Sequence, residues 1–311
     1  MKKLLAFSRI SLATLLLTLN CIVHIAPLLV VALFKAILRF PAFRAAADRT
    51  LMAIAASWID VNSAMMNRLT DTRVTVTGLP EQALDGHFMV LSNHQSWVDI
   101  PVLQKVFNRR LPMLRFFLKS QLIWVPILGL AWWALDFPFM KRYSRQQIEK
   151  NPALAGRDIA ATRKACEKFR HIPVSIVNFA EGTRFRAGRH RQQNSPFAHL
   201  LKPRAGGTAF VLDAMGDTLD TLIDVTLYYP DGPAELGDLF ANRIAEVQVH
   251  VRTLPIPDDL KNGDYQNDPA YRARFQAWLN RLWEEKDQLL GALIKAHCTD
   301  HPAEHTGQNT P

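Results

Sequence analysis

Three short segments of the chain carry residue types suited to chemistry. In 91-LSNHQSWVDI-100, His94 is followed five residues later by a carboxylate, Asp99. Histidine takes up and returns a proton near neutral pH, and a carboxylate on one ring nitrogen fixes which nitrogen stays open. On an ideal helix five residues turn through about 500°, so the two side chains cannot share a helical face. They meet only if His94 lies on a loop before a helix that carries Asp99. The alternative is a satisfied polar pair capping that helix, and this segment alone does not choose. In 179-FAEGTRF-185, Glu181, Gly182, Thr183 and Arg184 follow an apolar run. Gly182 permits close backbone approach at a turn. Arg184 offers a planar, permanently charged fork for a phosphate. In 117-FLKSQLIWVPILG-129, Lys119 offers a point charge for the same phosphate.

The elements that must position these residues follow from hydrophobic periodicity. Residues 45–70 read as a helix through Leu51, Ile54, Trp58 and Ile59. The run 73-RVTVTG-78 alternates and ends in glycine, as a half-buried strand does. The run 88-FMVL-91 is a short continuous apolar strand of the type buried on both faces of a sheet. A helix follows in 96-SWVDIPVLQKVF-107; Ser96 and Asp99 have capping-box spacing, while Pro101 favours a start at Asp99. Further helices are expected over 158–170, 207–216 and 270–296, and further strands over 174–179, 222–229 and 246–252. Strands alternating with helices make an α/β domain.

The bulk numbers agree with a packed, basic protein. The 311 residues are 49% hydrophobic and 21% charged, with a net charge of +9. Such a charge suits anionic partners: nucleic acid, acidic lipid or phosphorylated substrates. The three cysteines, Cys21, Cys166 and Cys298, are far apart and form no metal or redox spacing. No metal site is expected from His94, His171, His190 and His199 either.

The segment 10–34 contains no Lys, Arg, Asp or Glu and is long enough to cross a bilayer as one helix. Asn20, His24 and Pro27 interrupt it and allow a second reading, a re-entrant hairpin embedded in one leaflet. Basic residues flank both ends, so charge bias does not orient it. Residues 1–45 are thus a membrane anchor, spanning or embedded, 46–297 a catalytic domain and 298–311 a polar, disordered tail. The run 122–135, with Trp124, Trp132 and Trp133 and with Lys141 and Arg142 beyond it, is either a buried helix or a bilayer-facing surface.

Together the three chemical segments resemble the ordered motifs of the 1-acylglycerol-3-phosphate acyltransferase family of glycerolipid acyltransferases. His94 and Asp99 match its His-x4-Asp motif. Phe116 or Phe117, Lys119, Leu122, Pro126 and Gly129 match its second block, and Glu181–Arg184 its Glu-Gly-Thr-Arg motif. The stretch 119–142 is similar to the lysophospholipid acyltransferase branch, which includes bacterial inner-membrane members. The resemblance implies a mixed sheet flanked by helices. It also implies acyl transfer from acyl-CoA or acyl carrier protein to the free hydroxyl of a lysophospholipid. One departure stands in 222-LIDVTLYYP-230, where Asp224-Val225-Thr226 replaces the proline-containing strand of the fourth block. That block is linked to the acyl chain, so donor and chain preference are the properties it touches.

A thioester is already activated, and no G-x-S-x-G elbow or motif cysteine is present, so direct attack is expected. His94 and Asp99 are the catalytic pair. Lys119, Glu181, Gly182, Thr183 and Arg184 are the substrate-binding set, with Glu181 ordering its loop and amides near Gly182 facing the oxyanion. No cofactor beyond the acyl-donor substrate is expected. The partners are membrane phospholipid and lysophospholipid, at the inner membrane with the catalytic domain facing the cytosol. The competing readings are a non-catalytic anionic-lipid binder and an RNA binder using 184-RFRAGRHR-191. No nucleic-acid signature supports the latter.

Overall fold

The structure of the chain, a computed structural model, describes residues 2–140, 166, 169 and 172–300. Apart from Cys166 and Phe169, the helix expected over 158–170 lies outside these residues, as do Lys141, Arg142 and the tail from 301 onward.

A long helix α1 (Lys2–Ile37) is followed by α2 (Pro41–Leu69), which runs through the boundary expected at residue 45. The domain core then contains β1 (Arg73–Thr77), β2 (His87–Ser92), α3 (Asp99–Phe107), β3 (Leu114–Phe116), β4 (Leu118–Lys119), α4 (Leu128–Ala134) and β5 (Phe139–Met140). After the undescribed stretch come β6 (Val174–Phe179), α5 (Ala187–Gln193), α6 (Ala205–Met215), β7 (Thr221–Tyr228), α7 (Leu236–Phe240), β8 (Glu246–Pro255) and α8 (Pro269–Asp300). The described strands form a sheet in the order β1-β8-β7-β2-β6-β3, with β4 and β5 as a separate parallel pair. Pairing is parallel except between β7 and β8, so the sheet is mixed, as expected.

Strand β2 shows why the sheet sits where it does. Alternate residues of a strand face opposite sides. Phe88 and Val90 enter the core under α1–α4, and Met89 and Leu91 enter the core under α6 and α8. Met89, Val90 and Leu91 are fully buried. Burying each such side chain contributes about 1.5–3 kcal/mol relative to leaving it in water. Parallel strands β7, β2, β6 and β3 all point their carboxyl ends to one edge, the position where open α/β sheets bind ligands.

Two sequence expectations are corrected here. Helix α1 runs unbroken through Asn20, His24 and Pro27, so no re-entrant hairpin forms within 10–34. The polar residues that suggested a break instead join α1 to α2. Asn20 Nδ2 donates to Asn62 Oδ1 at 2.8 Å and to the Trp58 carbonyl at 3.2 Å. His24 Nδ1 donates to the Asn20 carbonyl at 3.0 Å, and its Nε2 accepts from Ser57 Oγ at 3.1 Å. Pro27 removes one intrahelical bond without ending the helix. Secondly, α8 extends to Asp300, so residues 298–300 of the expected tail are helical.

The run 122–135 folds as a short 3-10 turn (Ser120–Trp124) and α4, which packs against α1. Gly129 is required there: a Cβ would stand 2.0 Å from the Ile123 carbonyl oxygen. Ile127 has φ +66°, a strained value for a β-branched residue. Trp124 is 84% exposed, and Ile127, Leu130 and Trp133 are also exposed. Among the described residues, α1 is the one helix long and apolar enough to cross a membrane.

Candidate active site

His94 lies on the loop between β2 and α3, at the carboxyl edge of the parallel strands. Its Nδ1 donates to Asp99 Oδ2 at 2.7 Å. The same oxygen accepts from the Gln95 amide at 2.7 Å and the Ser96 amide at 3.0 Å. Its partner Oδ1 accepts from the Tyr229 hydroxyl at 2.7 Å. Asp99 is fully buried, and these donors replace the water it has lost. With Nδ1 donating, neutral His94 has its open lone pair on Nε2. The ring stacks on Phe179, centroids 4.1 Å apart, and Phe179 on Phe116 at 6.0 Å. Packing and hydrogen bonds together fix the imidazole in one orientation.

The cap of α3 combines both expected starts. The helix proper begins at Asp99, but Ser96 Oγ accepts from the Val98 amide at 2.9 Å while Asp99 reaches back to the Ser96 amide. Asn93, which sequence reading passed over, continues the β2–β7 pairing with its side chain. Its Nδ2 donates to the Leu227 carbonyl at 2.9 Å, and its Oδ1 accepts from the Leu227 amide at 2.8 Å. Tyr229 was missed as well. Its signal was its position just past the carboxyl end of β7. Burial first, and then the Asp99 charge and hydrogen bond, hold its hydroxyl well above its ordinary pKa, so it stays protonated and donates.

The Glu181–Arg184 turn lies beside this loop, since the Phe185 amide donates to the His94 carbonyl at 2.7 Å. Glu181 is fully buried; its Oε1 accepts from the Leu201 amide at 3.4 Å, and its Oε2 has no hydrogen-bond partner among the described residues. Burial pushes this carboxyl up to about 8, against the pull of the Leu201 and His94 amides; Asp99 adds to the rise and Lys286 opposes it. Gly182 is needed for its φ of +70° rather than for close approach, because its Cβ would only touch Arg204 at 3.4 Å. Its amide donates to the Phe179 carbonyl at 2.9 Å, so it is not available to an oxyanion. Thr183 Oγ1 accepts from Arg189 Nη1.

Arg184 does not present an empty fork. Its Nη1 donates to both oxygens of Glu235, at 3.2 and 3.1 Å, and its guanidinium lies 4.7 Å over the Trp97 ring. Arg186 approaches the same Glu235 at 3.9 Å. The basic run 184–191 leads into helix α5 from Ala187 to Gln193, with Arg184 and Arg186 engaged by Glu235 and Arg189 by Thr183. Lys119 is exposed on β4, just past the end of β3. Among the described residues it forms no hydrogen bond or ion pair with His94, Asp99 or Arg184. The site therefore unites His94, Asp99, Glu181 and Arg184, with Lys119 at its margin.

Behind the site, Asp224 occupies the strand position where the resemblance leads one to expect the proline block. It forms a 2.8 Å ion pair with Lys286 of α8 and accepts from Arg252 Nε and Nη2 at 3.0 and 2.7 Å. Lys286 is fully buried and also donates to the Val225 carbonyl at 2.5 Å and to Thr226 Oγ1 at 3.1 Å. Burial lowers its pKa, and Asp224 opposes that shift. Asp224 and Thr226 thus replace the expected strand sequence together with a lysine that neither motif nor spacing flagged. Among the described residues, no group of three or more His, Cys, Asp or Glu side chains is arranged to hold a metal ion.

A family model described as acyltransferase matches residues 73–214, the stretch that holds the residues of the first three motifs but not Asp224–Thr226 of the fourth block. Lysocardiolipin acyltransferase 1 of Mus musculus is 26% identical over 272 residues, 83% of this chain and 66% of that protein. The 2-acyl-1-lysophosphatidylinositol acyltransferase of Saccharomyces cerevisiae is 24% identical over 268 residues, 70% of this chain and 66% of that one. The 1-acyl-sn-glycerol-3-phosphate acyltransferase epsilon of Mus musculus is 26% identical over 223 residues, 64% and 56% of the two chains. The chain thus spans about two thirds or less of the length of these relatives. The crystal structure of the 1-acyl-sn-glycerophosphate acyltransferase from Thermotoga maritima shares the fold, with a TM-score of 0.55 at 17% identity over 94% of this chain and 98% of that one. Residues 73–214 thus match the acyltransferase family model, and the chain is similar to these acyltransferases in sequence and to the Thermotoga maritima protein in fold.

Proposed function

We propose that the chain is a membrane-associated acyltransferase. It moves an acyl group from an acyl-CoA or acyl-carrier-protein thioester to the free hydroxyl of a lysophospholipid such as 1-acylglycerol-3-phosphate. The observation that carries this reading is the His94–Asp99 pair, with Nδ1 committed to a buried carboxylate and Nε2 open. In the reaction, Nε2 takes the proton of the acceptor hydroxyl as its oxygen attacks the thioester carbonyl carbon. The tetrahedral oxyanion collapses, the carbon–sulfur bond breaks and the imidazolium returns its proton to the departing thiolate. Asp99 stays ionised and stabilises the imidazolium. Cys166 is no rival nucleophile, because burial pushes its thiol up to about 12. With the Gly182 amide engaged, the Thr183 and Arg184 amides are the candidates for the oxyanion. The acceptor phosphate replaces Glu235 on Arg184, with exposed Lys119 as a helper. Glu181 orders the turn.

Membrane attachment is supported by the exposed apolar stripe of α1, which includes Leu12, Leu15, Leu19, Val30 and Leu33. The other face of α1 is buried through Ala13, Ile25, Leu28 and Ala32, against protein. Helix α2 alongside carries Arg44, Asp48, Arg49, Asp60 and Arg68, which hydrocarbon does not accept. Helix α1 therefore lies half-immersed in one leaflet, on the cytosolic side of the inner membrane where the thioester is supplied. A protease added to the cytosolic side should remove an N-terminal tag; a tag cut only from the opposite side would show that α1 spans.

The mechanism is tested by His94→Ala in washed membranes supplied with a CoA thioester and lysophosphatidate. Loss of a positioned general base costs about 100- to 10,000-fold. Transfer at the wild-type rate would end the proposal. Arg184→Ala should mainly raise the acceptor KM.

A further inference from the structure

Direct transfer without a covalent intermediate needs donor and acceptor bound at once, and each carries its own hydrocarbon chain. Two apolar cavities flank α3. One, of about 180 Å³, lies among α1, α2, α4 and β3 and reaches Phe116. The other, of about 280 Å³, lies among α1, α2, α3 and α7, with Leu17, Met66, Trp97, Leu236 and Phe240 in its lining. Trp58, Ile100 and Gln104 line both cavities and so form a shared wall.

The cavities differ in what stands at the mouth. Trp97 lines the larger one, and the Arg184 guanidinium lies over the Trp97 ring. Glu235, the carboxylate on Arg184, directly precedes Leu236 of the same lining. An anion site and an apolar chamber thus share one aromatic wall, three residues from His94. Neither lining itself contains an arginine or lysine among the described residues, so the distinction rests on the Arg184–Trp97 contact at the larger one. Leu17 opens the larger chamber towards α1, whose neighbouring Leu15 and Leu19 are exposed. A single-chain lipid with a phosphate at its head matches this arrangement at both ends.

We propose that the cavity among α1, α2, α3 and α7 receives the acyl chain of the lysophospholipid acceptor, its phosphate displacing Glu235 from Arg184. This rests on the acyltransfer reading above and adds where the acceptor lies. The chain enters from the leaflet past Leu17, and the head stops at Arg184.

The test uses the full chain in detergent micelles and a lysophosphatidate with a diazirine in its acyl chain. Labels mapped by mass spectrometry should fall on Met66, Trp97 and Phe240, and unlabelled lysophosphatidate should compete them away. Competed labels at Leu128, Leu135 or Phe137, in the smaller cavity, or no competed label in the larger one, would overturn the assignment. In transfer assays, Leu236→Trp at the mouth should raise the acceptor KM about tenfold or more for long chains, about 1.4 kcal/mol or more. The acyl-CoA KM should stay unchanged. Leu236→Ala, which opens the mouth, should tolerate bulkier acceptor chains, and Glu235→Gln should lower the acceptor KM. An equal rise in both KM values for Leu236→Trp would also overturn the assignment. Competed labelling in this cavity without transfer from any thioester would support the cavity and sink the acyltransfer reading.

Discussion

Asp99, at the start of α3, and Asp224, on the central strand β7, are both buried, and they are satisfied in opposite ways. Around Asp99 stand an imidazole, two backbone amides and a phenol, none of them a permanent charge. Around Asp224 stand Lys286 and Arg252. In the proposed mechanism, Asp99 meets a cation absent in the ground state when His94 takes a proton, and that stabilisation counts towards the rate. Asp224 meets its cations at all times, so its interactions are equal before and after the reaction. One carboxylate is arranged for change and the other for permanence.

Exchanging each for its amide breaks the comparison most sharply. Asp99→Asn should lower kcat by roughly 10³- to 10⁴-fold through the wrong tautomer and a lost counter-charge. Asp224→Asn should leave kcat per folded molecule within a few-fold. It strands the buried Lys286 ammonium, though, and should cost about 3–5 kcal/mol in a denaturant melt. Equal kcat losses in the two variants would erase the distinction.

A double-mutant cycle sharpens the structural half. Lys286→Met alone should destabilise by an amount similar to Asp224→Asn. The pair Asp224→Val with Lys286→Met should regain most of that loss, because apolar replacements of a buried ion pair are often neutral. Additive losses on chemical denaturation would mean the two residues are not coupled.

Glu181 supplies a pH test. Its carboxyl is raised from about 4.5 unfolded to about 8 folded. The native state therefore binds more protons between those values, and stability falls as pH rises through that window. The contribution is fully present below about pH 4.5 and gone above about pH 8. Glu181→Gln should remove this slope from the difference in melting free energy, measured from pH 5 to 9. A slope unchanged by the substitution would place the ionisation elsewhere. The smallest effect is expected from Tyr229→Phe. A hydrogen bond to a charged group contributes about 1.5–3 kcal/mol. Shared between stability and rate, that should lower kcat by roughly tenfold or less, and the pH–kcat profile should shift.

What was readable in the sequence had local causes. The buried run of β2 and the alternation of β8 report their surroundings residue by residue, and both strands form. The five-residue spacing of His94 and Asp99 forced a loop position for the histidine, and the loop is there. What could not be read depends on partners distant in sequence. Asn20 and His24 looked like breaks because Asn62 and Ser57 lie on the next helix. Tyr229 and Lys286 carry no motif; the sheet and α8 bring them to Asp99 and Asp224. The role of Glu235 as the present occupant of Arg184 likewise needed three dimensions.

The bonds between α1 and α2 have a consequence for biogenesis. A tether can insert into lipid first and wait for its domain, but α1 left alone would hold Asn20 and His24 against hydrocarbon. Their partners become available only when α2 has formed. With α1 half-immersed as proposed, membrane docking and completion of the fold become one assembly step. Removing α1 would strip the roof from a core containing Leu51 and Ala55 rather than release a free-standing soluble enzyme.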